Sequence, residues 1–393
     1  MKKVLISGAG VAGISLAYWL RRNGFTPTVV ERSRGIRDGG YKVDIRGAAV
    51  DVVERMRVLD QIRERVTDVR AGSVVDGKGR RVASMNGDTF GGRAHGDAEI
   101  LRGDLLRLLF EATDGVEYLW GDEIADLCQT GDDVEVTFAS GATRRFDLVV
   151  GADGLRSNTR EKVFADDAIR DLGYRVSIFD VPNHLGLDRE ELTYVSPGRT
   201  VLVYSTAQDT GAKAMFLFAD DAPVPADPRQ YLADRYRGEG WEVATLLEHM
   251  GDDFYLDTLS QVHLDRWSNG RIALVGDAAY CASVASGQGT SLALVGAYVL
   301  AGELAAAQNH EQGFAGYETE MREFVTANQK LGPANIKRMV LASKAQVRLS
   351  MVFLSLLSKL PGKDRIIGQA MKPLHRAATV ISLKDYPVRC SRA

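Results

Sequence analysis

Apolar residues along the chain recur with two periods. Residues 4–7 form a short unbroken apolar run, and Ile14, Leu16, Ala17 and Leu20 then recur at helical spacing before Gly24. Residues 28–30 read as a second strand, so the first thirty residues predict strand, helix, strand. A helix is expected over 48–65, through Val52, Met56, Leu59 and Ile62, and a hairpin over 73–85 around Asp76-Gly77-Lys78-Gly79. A strand at 100–101 runs into a helix over 105–112. Strands follow at 116–120, 133–139 and 143–150, the last with a buried apolar segment, 147–151. From Gly173 the pattern changes to β runs with no helix between them, at 176–180, 191–195, 200–205 and 214–219, which predicts an antiparallel sheet inserted into an α/β frame. Helical stretches around 231–236 and 241–249, a buried strand at 271–276 and a helix over 289–307 come next. After His310 the chain reads as helix almost to its end, with breaks expected at Gly332-Pro333 and Pro361-Gly362.

The first strand–helix junction reads Gly8-Ala9-Gly10-Val11-Ala12-Gly13. Inside a βαβ unit of about thirty residues this spacing is a dinucleotide fingerprint. Gly8 permits the tight turn, Gly10 admits a pyrophosphate to the backbone, and Gly13 lets helix and strand pack closely. The free amides and dipole at the helix start favour the two phosphates. Glu31 ends the second strand, where a carboxylate accepts hydrogen bonds from a ribose and repels a 2′-phosphate. The fingerprint alone does not separate FAD from NAD.

Composition narrows this further. The 393 residues are too many for one core, so two closely joined domains are expected. A net charge of −3 gives no support for a nucleic-acid partner. Cys128, Cys281 and Cys390 are sparse and without metal or redox spacing, which suggests a reducing cytoplasm. The first strand begins too early for a signal peptide to precede it, and no apolar run is long enough to span a membrane. The histidines, His95 among them, show no metal-ligand spacing.

Two later motifs follow predicted strands: Gly151-Ala152-Asp153-Gly154-Leu155-Arg156, and Gly276-Asp277-Ala278-Ala279 running into Ser286-Gly287-Gln288-Gly289. An Asp behind a buried strand can take polyol hydroxyls, and amides at a helix start favour developing negative charge. With the N-terminal glycines, these motifs resemble the three signatures of FAD-dependent aromatic monooxygenases of the p-hydroxybenzoate hydroxylase fold, nearest to the branch of tetracycline-inactivating and polyketide hydroxylases. The resemblance implies an α/β fold with a Rossmann-like FAD-binding domain (1–72, 96–172, 265–332), an inserted β-sheet substrate domain (73–95, 173–264) and a C-terminal bracing helix and tail (333–393). It implies FAD contacts from Gly8, Gly10, Ala12, Gly13, Glu31, Arg32, Asp44, Arg46, Arg102, Asp153, Asp277, Gly287 and Gly289.

The implied reaction uses NADPH or NADH and O2, and hydroxylates an electron-rich aromatic or polyketide small molecule through a flavin C4a-hydroperoxide. FAD carries that chemistry, so no catalytic side chain and no metal is named. NADPH is the expected reductant, and a monomer or homodimer the expected state. A flavin dehydrogenase or reductase, or a non-catalytic flavin-binding protein, is the alternative; a halogenase is disfavoured because its Trp-x-Trp-x-Ile-Pro motif is absent. Tyr204, Met215, Phe216 and Phe218 are the candidate walls of the substrate pocket. Relatives carry proline between the last two motifs, where this chain reads Ser283 and Val284, so a looser loop is expected there. The apolar stretch 336–360 fits a helix bracing the two domains better than one lying on a membrane surface.

Overall fold

The computed structural model describes residues 2–386 except 37–38, 95, 165–166, 224, 226, 252–253 and 361–362. His95, Cys390 and the expected Pro361-Gly362 break lie outside the described residues. β1 (Lys3–Ser7), α1 (Val11–Arg22) and β2 (Thr26–Glu31) form the expected βαβ unit. After β3 (Lys42–Ile45) the helix expected over 48–65 is divided into α2 (Ala48–Arg55) and α3 (Leu59–Glu64), because Arg57 adopts a left-handed φ of 63° between them. β4 (Ala71–Val75) and β5 (Arg81–Asn86) are the expected hairpin, and a short α4 (Gly87–Gly91) leads to β6 (Ala98–Leu101) and α5 (Arg102–Glu111). Then come β7 (Glu117–Trp120), β8 (Ile124–Gln129), β9 (Val134–Phe138), β10 (Thr143–Phe146) and β11 (Leu148–Gly151). β8 carries too little alternation to be read from the sequence; pairing with β9 creates it.

α6 (Asn158–Val163) precedes β12 (Ile169–Val181), β13 (Glu190–Ser196), β14 (Arg199–Tyr204) and β15 (Ala212–Ala219), which contain the four expected β runs. α7 (Pro228–Arg235) and α8 (Val243–Glu248) are followed by β16 (Tyr255–Val262), a strand the sequence did not signal. The rest is β17 (Ser268–Asn269), β18 (Ile272–Leu274), α9 (Asp277–Tyr280), α10 (Gly289–Ala306), α11 (His310–Met339), α12 (Lys344–Lys359) and α13 (Lys363–Thr379).

One sheet has the order β17-β18-β11-β1-β2-β7, parallel except for β17. In its register Ser7 faces Gly151 and Val30, and Gly151 faces Leu274. All three Gly-containing motifs therefore emerge from the same carboxyl edge, where open α/β sheets bind their ligands. The second sheet runs β16-β12-β15-β14-β13-β4-β5. It is mixed, because β4 joins β13 in parallel. Alternation along β15 divides its side chains: Ala214, Phe216 and Phe218 enter a core under α7 and α8, while Met215 and Leu217 face the α11 side with Val176, Ile178 and Ile336.

α10 packs between α1 and α11. By length and composition it could cross a bilayer, but 78% of it is buried inside the protein. α11 does not break at Gly332-Pro333. Proline lacks the N–H that would bond the carbonyl four residues back. That carbonyl, on Gln329, accepts instead from Gln261 Nε2 of β16 at 2.6 Å. The helix continues to Met339 and turns only before Ser343, whose side chain and Gln346 form a capping box for α12.

Candidate active site

The turn after β1 is set by backbone contact. Gly8 has φ of 105°, and a Cβ there would lie 2.7 Å from the Ala152 carbonyl; one on Gly13 would lie 1.9 Å from the Gly8 carbonyl. Neither position accepts a side chain. Gly10 differs, since a Cβ there would meet nothing of the protein within 4 Å. Protein packing does not account for its missing side chain, which leaves the backbone here open to close approach. The Glu31 carboxylate closes the turn, accepting from the amides of Ala9 at 2.8 Å and Ser33 at 2.9 Å.

The turn after β18 faces it. Gly276 lies directly against Ala12, where an added Cβ would come within 2.8 Å of the alanine methyl. Asp277 is solvent-accessible, yet protein surrounds it on nearly all sides. That combination describes a carboxylate on the floor of a deep cleft. Burial raises its pKa, opposed by a hydrogen bond with Cys281 and the positive charge of Arg102. Arg102 also acts on the Tyr41 hydroxyl, and its backbone N–H donates to the Tyr41 carbonyl at 3.0 Å. Residues 41, 102 and 277, far apart in sequence, thus share one cleft. Tyr255 closes its other side: its ring centre lies 6.4 Å from that of Tyr41, and its hydroxyl donates to Asp257 at 3.2 Å. Arg156 holds Asp257 from across the junction with a 2.5 Å contact. Tyr41, Tyr255 and Asp257 escaped the sequence reading; only the pairing of β16 with β12 brings the last two to the cleft.

The loop from Cys281 to Gly289 is clamped. Gln261 Nε2 donates to the Ala282 carbonyl at 3.2 Å, and Asn335 Nδ2 to the Ala285 carbonyl at 3.1 Å. Gly332 of α11 presses so closely that a Cβ there would lie 2.7 Å from the Ala282 carbonyl. The loop without proline is therefore held by its neighbours instead of being loose. It carries strain: Ser283 has a left-handed φ of 73°. The buried Ser283 hydroxyl and the Gln288 side-chain amide have no hydrogen-bond partner among the described residues.

A side chain that contacts a ligand must present surface outside the protein's own packing. Gly8, Gly10, Glu31, Arg32, Asp44, Arg102, Asp153, Asp277, Gly287 and Gly289 all do. Ala12 and Gly13 are buried in the α1 packing. Arg46, expected beside the cofactor, is buried, and its guanidinium donates to the carbonyls of Gly91 and Gly92 and pairs with Asp44 at 2.8 Å. Its backbone N–H, donating to Ser291 Oγ at 3.2 Å, is what ties this strand to the start of α10. The Asp153 carboxylate serves the loop before α6, accepting from Ser157 Oγ at 2.5 Å and from Thr159 N and Oγ1 at 2.9 and 2.8 Å.

Of the expected pocket walls, Phe216 and Phe218 lie in the core on the far face of the sheet. Tyr204 is fully buried, its hydroxyl accepting from Lys42 N at 3.1 Å. Met215 alone of the four remains partly accessible, clustered with Tyr41, Leu202 and Ala285. Beside Tyr204, Lys42 joins the separate β3–β6 pair to the second sheet through Glu99 at 3.2 Å and Glu191 of β13 at 2.7 Å. Burial opposes the ammonium charge, but the two carboxylates hold its pKa above the ordinary lysine range. Removing one partner from such a buried cluster costs about 3–5 kcal/mol, so this junction fixes the sheet face against the cleft.

The open helix start of α1, the Glu31 carboxylate behind it and Asp277 beside a second Gly-rich helix start line one cleft at the carboxyl edge of the parallel sheet. Residues 1–331 match the FAD binding domain family. A flavin-dependent monooxygenase of Legionella longbeachae is 40% identical, over 84% of this chain and 87% of its own. The FAD-dependent monooxygenase asL4 of Sarocladium schorii is 33% identical, over 77% and 75%. The crystal structure of tetracycline destructase Tet(51) superposes with a TM-score of 0.85 at 36% identity, covering 98% of this chain and 100% of that one. The chain belongs to the FAD-dependent aromatic monooxygenase family.

Proposed function

We propose that this flavin-dependent monooxygenase takes electrons from NADPH and hydroxylates an electron-rich aromatic or polyketide small molecule, with tetracyclines among the candidate substrates. Bound FAD supplies the electron transfer to O2 and the delivery of one oxygen atom. The amides from Gly10 onward take the pyrophosphate, Glu31 and Arg32 the adenosine side, and Asp277 the ribityl hydroxyls. The Gly287–Gly289 amides take the pyrimidine end, where negative charge develops on reduction. Asp44 and Arg102 border the ring system. Asp153 borders the pyrophosphate turn, and a nicotinamide-side role for it belongs to the same proposal.

In this division of labour, residues 1–72, 96–172 and 265–332 bind FAD, 73–95 and 173–264 bind substrate, and 333–393 brace the two. The observation that carries the reading is the cleft itself: a floor with opposite charges at Asp277 and Arg102, aromatic sides at Tyr41 and Tyr255, and a roof of sheet residues led by Met215. Such a site orients a flat, partly polar ring and excludes water. Free Cys128 and Cys281 support a cytoplasmic location.

The test is NADPH oxidation by the FAD-loaded protein in air, against phenolic polyketides including a tetracycline, with labelled dioxygen and mass detection. Substrate-stimulated oxidation with one labelled oxygen in the product is expected. Bound flavin with no NADPH oxidation on any substrate would overturn the reductant assignment.

A further inference from the structure

The exposed apolar surface of this protein is concentrated in one place. Among the described residues, six of the nine exposed large hydrophobic side chains fall between Leu349 and Ile366. Leu349, Val352, Phe353, Leu356 and Leu360 lie at positions i, i+3, i+4, i+7 and i+11, a continuous stripe along α12 and its C-cap. Their exposures reach 71% at Leu349 and 60% at Leu356. The stripe is not the side by which α12 is attached. Val347, Met351, Leu354 and Ser358, half-buried, alternate with it around the helix, and α12 packs on β5 and β13. Scattered exposed leucines need no explanation, but a contiguous stripe marks an interaction surface.

Charge selects the partner. Residues 344–376 hold seven Lys or Arg and one Asp, in a chain whose net charge is −3. Lys344 and Arg348 are exposed at the start of α12, and Lys372 and Arg376 on α13. Two copies of this face would bring like charges together, which disfavours self-pairing. An anionic lipid surface meets both the stripe and the cations. At 16 residues α12 is about 24 Å long, shorter than a bilayer core, so it would lie in the interface and not span it.

We propose that α12 docks this enzyme on an anionic membrane surface, with the Leu349–Leu360 stripe at the acyl boundary and the basic residues against the headgroups. The proposal stands on the α12 stripe and the charges of 344–376, independent of the substrate assignment.

The test is flotation of the FAD-loaded protein with phosphatidylcholine vesicles, with and without phosphatidylglycerol. Binding only to the anionic vesicles, weakening with added salt, is expected. The pairs Phe353→Gln/Leu356→Gln and Lys344→Glu/Arg348→Glu are each expected to lower the bound fraction about tenfold or more. An unchanged flavin absorbance spectrum and melting temperature exclude a folding defect. Wild-type protein that stays in solution with anionic vesicles overturns the proposal. So does equal binding to neutral vesicles. A dimer by sedimentation that Phe353→Gln/Leu356→Gln converts to monomer, with flotation unaltered, assigns the stripe to self-association instead and equally overturns it.

Discussion

Two of the three Gly-containing turns at the carboxyl edge of the parallel sheet are held in shape by opposite means. The turn from Gly8 to Gly13 is built by backbone sterics: its own Gly8 carbonyl leaves no room for a Cβ on Gly13, and the Ala152 carbonyl at the end of the neighbouring strand leaves none on Gly8. The turn from Gly276 to Gly289 is built from outside. Ser283 sits in a backbone region that glycine prefers, and Gln261, Gly332 and Asn335 from distant elements keep it there. One turn is specified by backbone sterics, of which the Gly8–Gly13 contact is local. The other is over-determined by tertiary contacts, which is how a strained loop persists at a functional site. Gln261 is the main link, since one amide bonds both the loop carbonyl of Ala282 and the helix carbonyl freed by Pro333.

The contrast can be broken most severely at the first turn. Gly13→Ala is expected to cost about 3 kcal/mol in urea unfolding and to weaken FAD binding about a hundredfold by flavin fluorescence, because two backbone segments must separate. A near-neutral result would mean the turn is not locally specified. At the second turn, Gln261→Ala should cost about 1–3 kcal/mol by leaving two buried carbonyls unpaired. The sharper measurement is the cycle with Pro333→Ala, which returns an N–H to the Gln329 carbonyl. The double variant is expected to recover about 1 kcal/mol relative to additivity, and strict additivity would refute the link.

Asp277→Asn separates binding from folding at the same turn. Burial raises the Asp277 pKa in the native state. The native chain therefore holds that proton more tightly than the unfolded chain, and stability falls as pH rises past about 4, the unfolded carboxyl value. The variant removes this penalty, so the apoprotein should melt higher at neutral pH, with the gain vanishing in acid. FAD affinity should fall about tenfold if the carboxylate bonds the ribityl hydroxyls. A loss of stability together with affinity would make Asp277 a structural residue. The smallest effect is expected from Ser283→Gly, a gain of up to about 1 kcal/mol in thermal or urea unfolding as left-handed strain is relieved. Destabilisation there would show that the φ of 73° is not strained in its setting.

Much of this protein is legible in its sequence. Gly8, Gly10 and Gly13 spell out the first turn because their spacing is a short motif and the Gly8–Gly13 contact acts five positions apart, although the carbonyl that bars a side chain at Gly8 comes from distant Ala152. The order of β runs after Gly173 announces a second sheet because period 2 is a local property. Asp277 is recognisable because an Asp after a buried strand and before a Gly-rich helix start is a short motif. The tertiary structure decided the rest. Alternation along β15 gives two faces but does not say which meets the cleft, so Phe216 was indistinguishable from Met215 until α7 and α8 covered one side. Arg46 could have faced a cofactor; the Gly91 and Gly92 carbonyls that capture it lie more than forty residues away. The break expected at Pro333 is removed by a side chain from β16, and β16 also carries Tyr255 and Asp257 to the cleft. The division follows from range: sterics and periodicity act along the chain and can be read there. Burial, sheet partnership and the satisfaction of a freed carbonyl depend on which distant segments arrive, and only folding brings them.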